Sequence, residues 1–331
     1  MRGQLAIAGM LVALLLGASG KSNAQLINFS WDNDILFGTD GSYTNGVKLG
    51  WRGDEERVNR CPQCWSSLLA NTLDGLPGIG GSTTMHSLGA EVRQVMGTPQ
   101  DISITTPQYD DTPYVGILRG DISLFSRQAN SATSYSLSFG AIGPNSGAES
   151  TQKSVHKLTG STKPQGWDTQ LDGEALFGIG AARADRIKLW AHNEGRQTEW
   201  GTAYGAQLNN FLSYAAAGTF VRYGHNLPSN LLPDYAGIGS SVSLPGLLAN
   251  RNYGWSLFAG VAAEAVGYSY LEEEAEGYQY DKDPFVGYVT LGASAHTPDF
   301  HISLSLRQTS SQTRNVRRTL QFGTLALIWA F

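Results

Sequence analysis

Two stretches carry side chains of types that do chemistry. The first, Trp31–Gly46 (WDNDILFGTDGSYTNG), sets Asn33 and Asp34 beside a Gly-rich bend at Gly38 to Gly41 and a polar strand start at Tyr43, Thr44 and Asn45. A carboxylate at a strand rim beside loop carbonyls suits a hard cation, which takes several oxygens from side chains and backbone. Taken alone, an Asn-Asp turn accounts for the same residues with no ligand. The second stretch centres on His156. The other histidines, His86, His192, His225, His296 and His301, mostly fall near expected strand ends, where an exposed or interfacial imidazole is commonplace. His156 instead lies in Gly143–Gly160 (GPNSGAESTQKSVHKLTG), which reads as a turn, a helix over Glu149–Leu158 and a Gly stop. A helix holds an imidazole more rigidly than an open loop does. Lys163–Gln170 (KPQGWDTQ) follows and leads into a strand through Trp167, expected at a membrane interface.

The elements that must position these residues are strands. Arg2, the apolar run Leu5–Ala18 and the small-residue pattern at Ser22-Asn23-Ala24 read as an export signal over residues 1–24, with a mature start at Gln25. That segment holds two of the 23 basic side chains and none of the 28 acidic ones, so residues 25–331 carry a formal charge of −7 (21 minus 28). A mildly acidic chain lacks the clustered Lys and Arg of a sequence-independent nucleic-acid surface, and nucleic acid is not an expected partner. No later segment approaches the apolar length of a transmembrane helix. Val47, Leu49 and Trp51 alternate with Lys48, Gly50 and Arg52. Tyr135, Leu137 and Phe139 alternate with small or polar residues, as do Ile302, Leu304 and Leu306. A period of two means strands with one apolar and one polar or small face. The 40 glycines and 14 tyrosines suit a closed barrel whose aromatics sit where lipid tails meet headgroups. Leu325, Leu327, Trp329 and Phe331 share one face of the last strand, like the C-terminal signal of outer-membrane barrels.

The fold class expected is therefore all-β, a transmembrane antiparallel β-barrel of about 12 strands over residues 25–331. The strands are expected near 25–33, 44–53, 85–96, 115–127, 133–143, 170–190, 198–209, 216–226, 252–270, 285–296, 300–310 and 315–331. An even count puts both termini in the periplasm and the connections 34–43, 97–114, 144–169, 210–215, 271–284 and 311–314 on the outer face. Asn33, Asp34 and Thr44 then flank the first outer connection, and His156 lies in the third. The opposite rim receives two long segments, 54–84 and 227–251. The first contains Cys61 and Cys64, half a zinc site at most and more simply a local disulfide of the oxidising periplasm. The second reads as a plug or a helix under the barrel. The acidic run Glu272–Glu276 reads as a solvated loop.

The blocks N-D…G-x-Y-T-N-G from Asn33, T-P at Thr98-Pro99, D-x-P-Y-x-G at Asp111–Gly116, I-G-P…Q-x-x-V-H-K-L-x-G at Ile142–Gly160 and K-P-x-G-W-D-x-Q at Lys163–Gln170 occur in this order. Together they resemble the outer-membrane lipid A 3′-O-deacylase family over residues 31 to about 170. The resemblance implies a calcium-dependent ester hydrolase that removes an acyloxyacyl chain from lipid A, the anchor of lipopolysaccharide, in the outer leaflet; apart from the resemblance, a monomer is the expected state. The resemblance places the family's Asn-Asp pair on Asn33 and Asp34, its loop Gly on Gly41, its Thr on Thr44 and its His on His156. Its implied roles are chemically coherent. His156 takes a proton from water, Asp34 and oxygens near Gly41 hold Ca²⁺, Asn33 assists the oxyanion and Thr44 orients the ion or the water.

The chain departs from the family at three places. Thr112 stands where members usually have Arg, Thr162 where some have a carboxylate, and Ile104 and its neighbours where members offer a Lys. These changes bear on recognition of the phosphorylated sugar. Two other functions fit the same frame. A catalytically silent or pore-forming barrel would line its channel with Lys48, Arg52 and Arg307. An outer-membrane phospholipase would need a Ser-His pairing, which the sequence does not display.

Overall fold

A computed structural model describes residues 25–33, 45–58, 60–227, 252–314 and 319–331. Twelve strands form, β1 Leu26–Asn33, β2 Asn45–Arg52, β3 Met85–Gly97, β4 Val115–Arg127, β5 Ser131–Ile142, β6 Ala175–Ala191, β7 Arg196–Asn209, β8 Leu212–His225, β9 Gly254–Ser269, β10 Phe285–His296, β11 Phe300–Ser311 and β12 Thr319–Ala330. Each pairs antiparallel with its sequence neighbours, and β1 closes on β12 from Leu26↔Ala330 to Asn33↔Gly323. The expected barrel and strand number hold. Among the described residues, two helices of eight residues or more lie outside the sheet, α1 Trp65–Thr72 and α2 Ala148–Thr159, besides a single turn at Tyr270–Glu273.

The alternation read from the sequence becomes an inside and an outside. Leu49, Leu137, Ile179, Leu257 and Leu304 are exposed on the outer wall, while Ser30, Lys48, Asp121, Glu199 and Ser305 are buried in the lumen. This is the inverse of a water-soluble sandwich and is what a hydrocarbon surround selects. The lumen is filled by paired charge. Arg93 bonds Asp32 at 2.9 Å, Arg119 bonds Asp121 at 2.8 Å, and Glu199 is held between Arg222 and Arg186. Ser138 donates to Asp121 Oδ1 at 2.5 Å and accepts from Gln207 Nε2 at 3.2 Å. Lys48, Arg52 and Arg307, expected to line a channel if this were a pore, are buried. The Arg52 guanidinium sits 4.7 Å from the Phe125 ring centroid, and that of Arg307 lies 5.6 Å from Phe322. Twelve strands enclose a space that side chains of this size can close.

Several boundaries move for local reasons. β6 starts at Ala175 rather than 170, because Leu171 N donates to Tyr114 O and Ile142 N to Glu174 O, which ties 171–174 to the rim. β8 starts at Leu212 rather than 216, because Asn209 Oδ1 accepts from both Phe211 N and Leu212 N and makes a tight turn. His86, His296 and His301 are buried rather than exposed or interfacial. His296 and His301 face each other across β10 and β11 inside the barrel. Within the acidic run, Glu272 is ion-paired to Lys282 rather than simply solvated. The expected Cys61–Cys64 disulfide is present. Most of the expected plug segment, 228–251, lies outside the described residues, as does the connection after β1.

Candidate active site

His156 is carried on α2, and α2 packs against the outer wall of the barrel at the rim opposite the termini. Asn33↔Asn45, Asn45↔Met96 and Met96↔Gly116 form one row across β1 to β4, all facing outward. Over the β3–β4 end of this row sits the start of α2. Gln94 Nε2 donates to Ser146 O at 2.8 Å, and a Cβ on Gly116 would stand 2.1 Å from Ser146 Oγ and 2.4 Å from Ala148 Cβ. Only glycine at 116 lets the helix come this close. Its ends are set by Gly147 and Gly160, both left-handed, with φ of 71° and 73°.

The underside of the site is a buried cluster of Met96, Ile102, Tyr114, Ala148 and Trp167. Trp167 is 1% exposed, not interfacial as expected from its place before a strand. Its indole Nε1 donates to Gln152 Oε1 at 2.6 Å, and its ring lies 5.0 Å from that of Tyr114. Tyr114 in turn donates to Ile102 O at 3.1 Å, and burial pushes its phenol up from the ordinary value. Gly166 clears the Tyr114 ring, since a Cβ there would meet Cε2 at 2.3 Å. The D-T-P-Y-V-G block, the helix block and the K-P-Q-G-W-D block, far apart in sequence, thus interlock into one platform. Nearby, Asp101 accepts from Ser103 Oγ at 2.6 Å and from Ser103 N at 2.9 Å, bonds that hold its carboxyl below the ordinary value.

His156 follows Gln152 by four residues and so shares its side of the helix. Its Nδ1 lies 2.6 Å from Thr162 O. A carbonyl can only accept, so Nδ1 carries the proton and the lone pair of the neutral ring is on Nε2. Thr162 stands where some members of the resembling family have a carboxylate, and its backbone carbonyl orients the ring. That bond, Gln152 and the Tyr114–Trp167 pair escaped sequence reasoning. The i, i+4 spacing of Gln152 and His156 was the one available signal.

Of the other expected site residues, Asn33 is described. It ends β1 on the outward face, in the same row as Met96 and two strand spacings, about 10 Å, from it. Its partner Asn45 accepts from Trp31 Nε1 at 3.1 Å. Asp34, Gly41 and Thr44 lie outside the described residues. Among the described residues, the group of three metal-type ligands is Glu56, Cys61 and Cys64 at the opposite rim, where both sulfurs are spent in the disulfide. A cavity of about 210 Å³ opens inside the same end of the barrel, lined by Arg93, Val115, Ile117, Leu212 and Glu264. The wall separates it from His156.

A family model described as outer membrane protein LpxR matches residues 5–331. No curated protein matches the chain by sequence. Among solved structures, LpxR from Salmonella typhimurium superposes with a TM-score of 0.72 at 18% identity, covering 92% of this chain and 100% of that one. The beta domain of the Bordetella autotransporter Brka aligns at a TM-score of 0.45 and 7% identity, over 93% of this chain and 99% of its own. The translocator domain of autotransporter NalP from Neisseria meningitidis gives 0.37 and 10%, over 100% and 98%.

Proposed function

The chain belongs to the LpxR family of outer-membrane proteins, and from that premise we propose that it is a lipid A deacylase hydrolysing the ester of the 3′-acyloxyacyl chain in the outer leaflet. The observation that carries this reading is the state of His156. Its Nδ1 sits 2.6 Å from Thr162 O, which in the neutral ring leaves the lone pair on Nε2, and its helix is docked on the outward side of the wall. A base so placed meets a substrate whose reacting ester lies beside the barrel and not within it.

In this mechanism Nε2 of His156 takes a proton as water adds to the ester carbonyl carbon, and later returns it to the leaving sugar oxygen as the C–O bond breaks. The Asn33 amide, on the same outward row, faces the carbonyl oxygen as it gains charge. Thr44 orients the water. Asp34 and backbone oxygens near Gly41 offer the hard donors that Ca²⁺ requires, and bound there the ion would stabilise the oxyanion. The outward amide oxygens of Asn33 and Asn45 at the adjoining strand ends are of the same donor class. His156 bonds a backbone carbonyl and no serine among the described residues, which favours activated water over a Ser-His phospholipase mechanism. The paired, filled lumen counts against a passive pore. Residues 1–24 serve as the export signal, and the closed sheet, with no strand edge to pair, is consistent with a monomer.

Mass spectrometry of lipid A and phospholipids from cells with and without the protein tests the proposal. Lipid A lacking the 3′-acyloxyacyl chain is expected only with the active protein, and His156→Ala, Asp34→Ala or chelation of calcium should abolish it. Unchanged lipid A with the wild-type chain, or full activity in His156→Ala, refutes it.

A further inference from the structure

The segment 53–84 leaves β2 at the rim that carries both termini and climbs the outside of the barrel. Glu56 bridges His86, and Val58, Ala70, Leu73 and Ile79 pack on Leu88, Leu124 and Tyr135. These strand residues have the outward parity of Ile122 and Leu137, which are exposed to the surround. Tyr135 donates to Pro77 O at 2.9 Å. Gly78, with φ of 82°, passes so close to Thr133 that a Cβ would stand 2.3 Å from its Oγ1. The segment is therefore a strap across the outer faces of β3 to β5, at the end where long-loop asymmetry places the periplasm.

Within the strap, α1 is turned inside out. It presses Ser66, Ser67 and Ala70 against the barrel, and Ser67 is 0% exposed. It presents Trp65, Leu68 and Leu69 outward, with Trp65 74% exposed. A helix on a water-facing surface does the reverse, burying its apolar stripe and exposing its polar one. No charged residue occurs in Trp65–Thr72. The helix start is fixed by the Cys61–Cys64 disulfide and by Leu68 N donating to Cys64 O at 2.9 Å. Around the same rim, Trp255, Phe300 and Trp329 are exposed on the outer wall as an aromatic belt, and α1 packs at the corresponding end of β3 and β4 through Leu88 and Leu124.

We propose that α1 is an interfacial lipid-binding element, its Trp65–Leu68–Leu69 face seated among the phospholipid chains of the periplasmic leaflet. The occupant is argued from continuity, since the apolar face of α1 extends the lipid-facing belt of the strands beside it. The strap covers the polar outward residues His86, Ser126 and Thr133, all buried, and replaces them with a surface that hydrocarbon accepts. It thereby sets the depth at which this rim sits in the bilayer. The proposal is independent of the deacylase reading.

The test uses the full chain reconstituted in phosphatidylethanolamine/phosphatidylglycerol vesicles, with Trp65 emission taken as the difference between wild type and Trp65→Phe. Lipids brominated on the upper acyl chain should quench this component by about twofold or more, while iodide on both sides of the vesicle leaves it unchanged. Quenching by iodide without bromine would place Trp65 in water and overturn the proposal. Protection from both quenchers would mean that protein, a partner or a second copy, covers the face, and would overturn it equally. Leu68→Glu with Leu69→Glu spares the buried contacts of α1 and should move Trp65 from bromine to iodide quenching. Unaltered bromine quenching in that variant would show that the helix face does not hold the lipid.

Discussion

Replacing Gln152 by Leu tests whether the His156 platform is held from beneath. The side chains are close in volume, but leucine has no acceptor for the Trp167 indole N–H, which bonds Gln152 Oε1 at 2.6 Å in a site where Trp167 is 1% exposed. Leaving a buried donor unsatisfied costs about 1–3 kcal/mol, so the undocked form of α2 should become about 5 to 140 times more populated. The strands make their own ladders and should not share in this loss. Hydrogen exchange read by mass spectrometry over 148–159 should therefore accelerate by that factor while peptides from β3 and β4 stay protected. Trp167→Phe removes the donor, so the double variant should lose less than the sum of the two single ones. Additive losses, or unchanged exchange over 148–159, would refute the idea that this bond docks the helix.

Gly116→Ala drives a methyl into Ser146 and Ala148 and should cost about 1–3 kcal/mol of local stability. A shift of His156 by about 1 Å would lower deacylation by up to about 100-fold, read as the product ratio in lipid A mass spectra; wild-type activity would overturn the close docking. Glu199→Ala leaves Arg222 buried without its carboxylate and should destabilise the barrel by about 3–5 kcal/mol, visible as a lower temperature for loss of the folded, fast-migrating electrophoretic form. Burial, with Glu174 and Glu274 adding, pushes the Tyr270 phenol up to about 12, and its hydroxyl donates to Asp172 O at 2.8 Å. A folded value above the ordinary 10 means that the stabilisation is whole below pH 10 and is lost as pH rises through about 12. Exchange over 270–284 should rise in that window, and Tyr270→Phe should remove part of the dependence, Tyr280 being raised to about 12 as well.

The sequence by itself determined the number of strands, the face each residue joins and the helix that carries His156, because all three are local. A period of two assigns Leu49 and Lys48 to opposite faces whatever lies around them, and a Gly-bounded polar run makes a helix on its own terms. The family blocks were legible for the same reason, as runs of residue types in order. What the tertiary structure decided is which face another segment covers. Trp167 before a strand looks interfacial until the α2 helix and Tyr114 close over it, and α1, not singled out from the sequence, buries Ser66 and Ser67 because the outer wall of β3 to β5 lies beneath them. Thr162 reads as a missing ligand by side chain, yet its carbonyl, which no residue type encodes, orients His156. For Trp167 and Ser66-Ser67 the physical cause is the sheet, which joins residues far apart in sequence into one wall, so that burial depends on what packs across that wall. For Thr162 it is the fold of the short loop after α2, which returns a backbone carbonyl to the His156 ring six residues earlier.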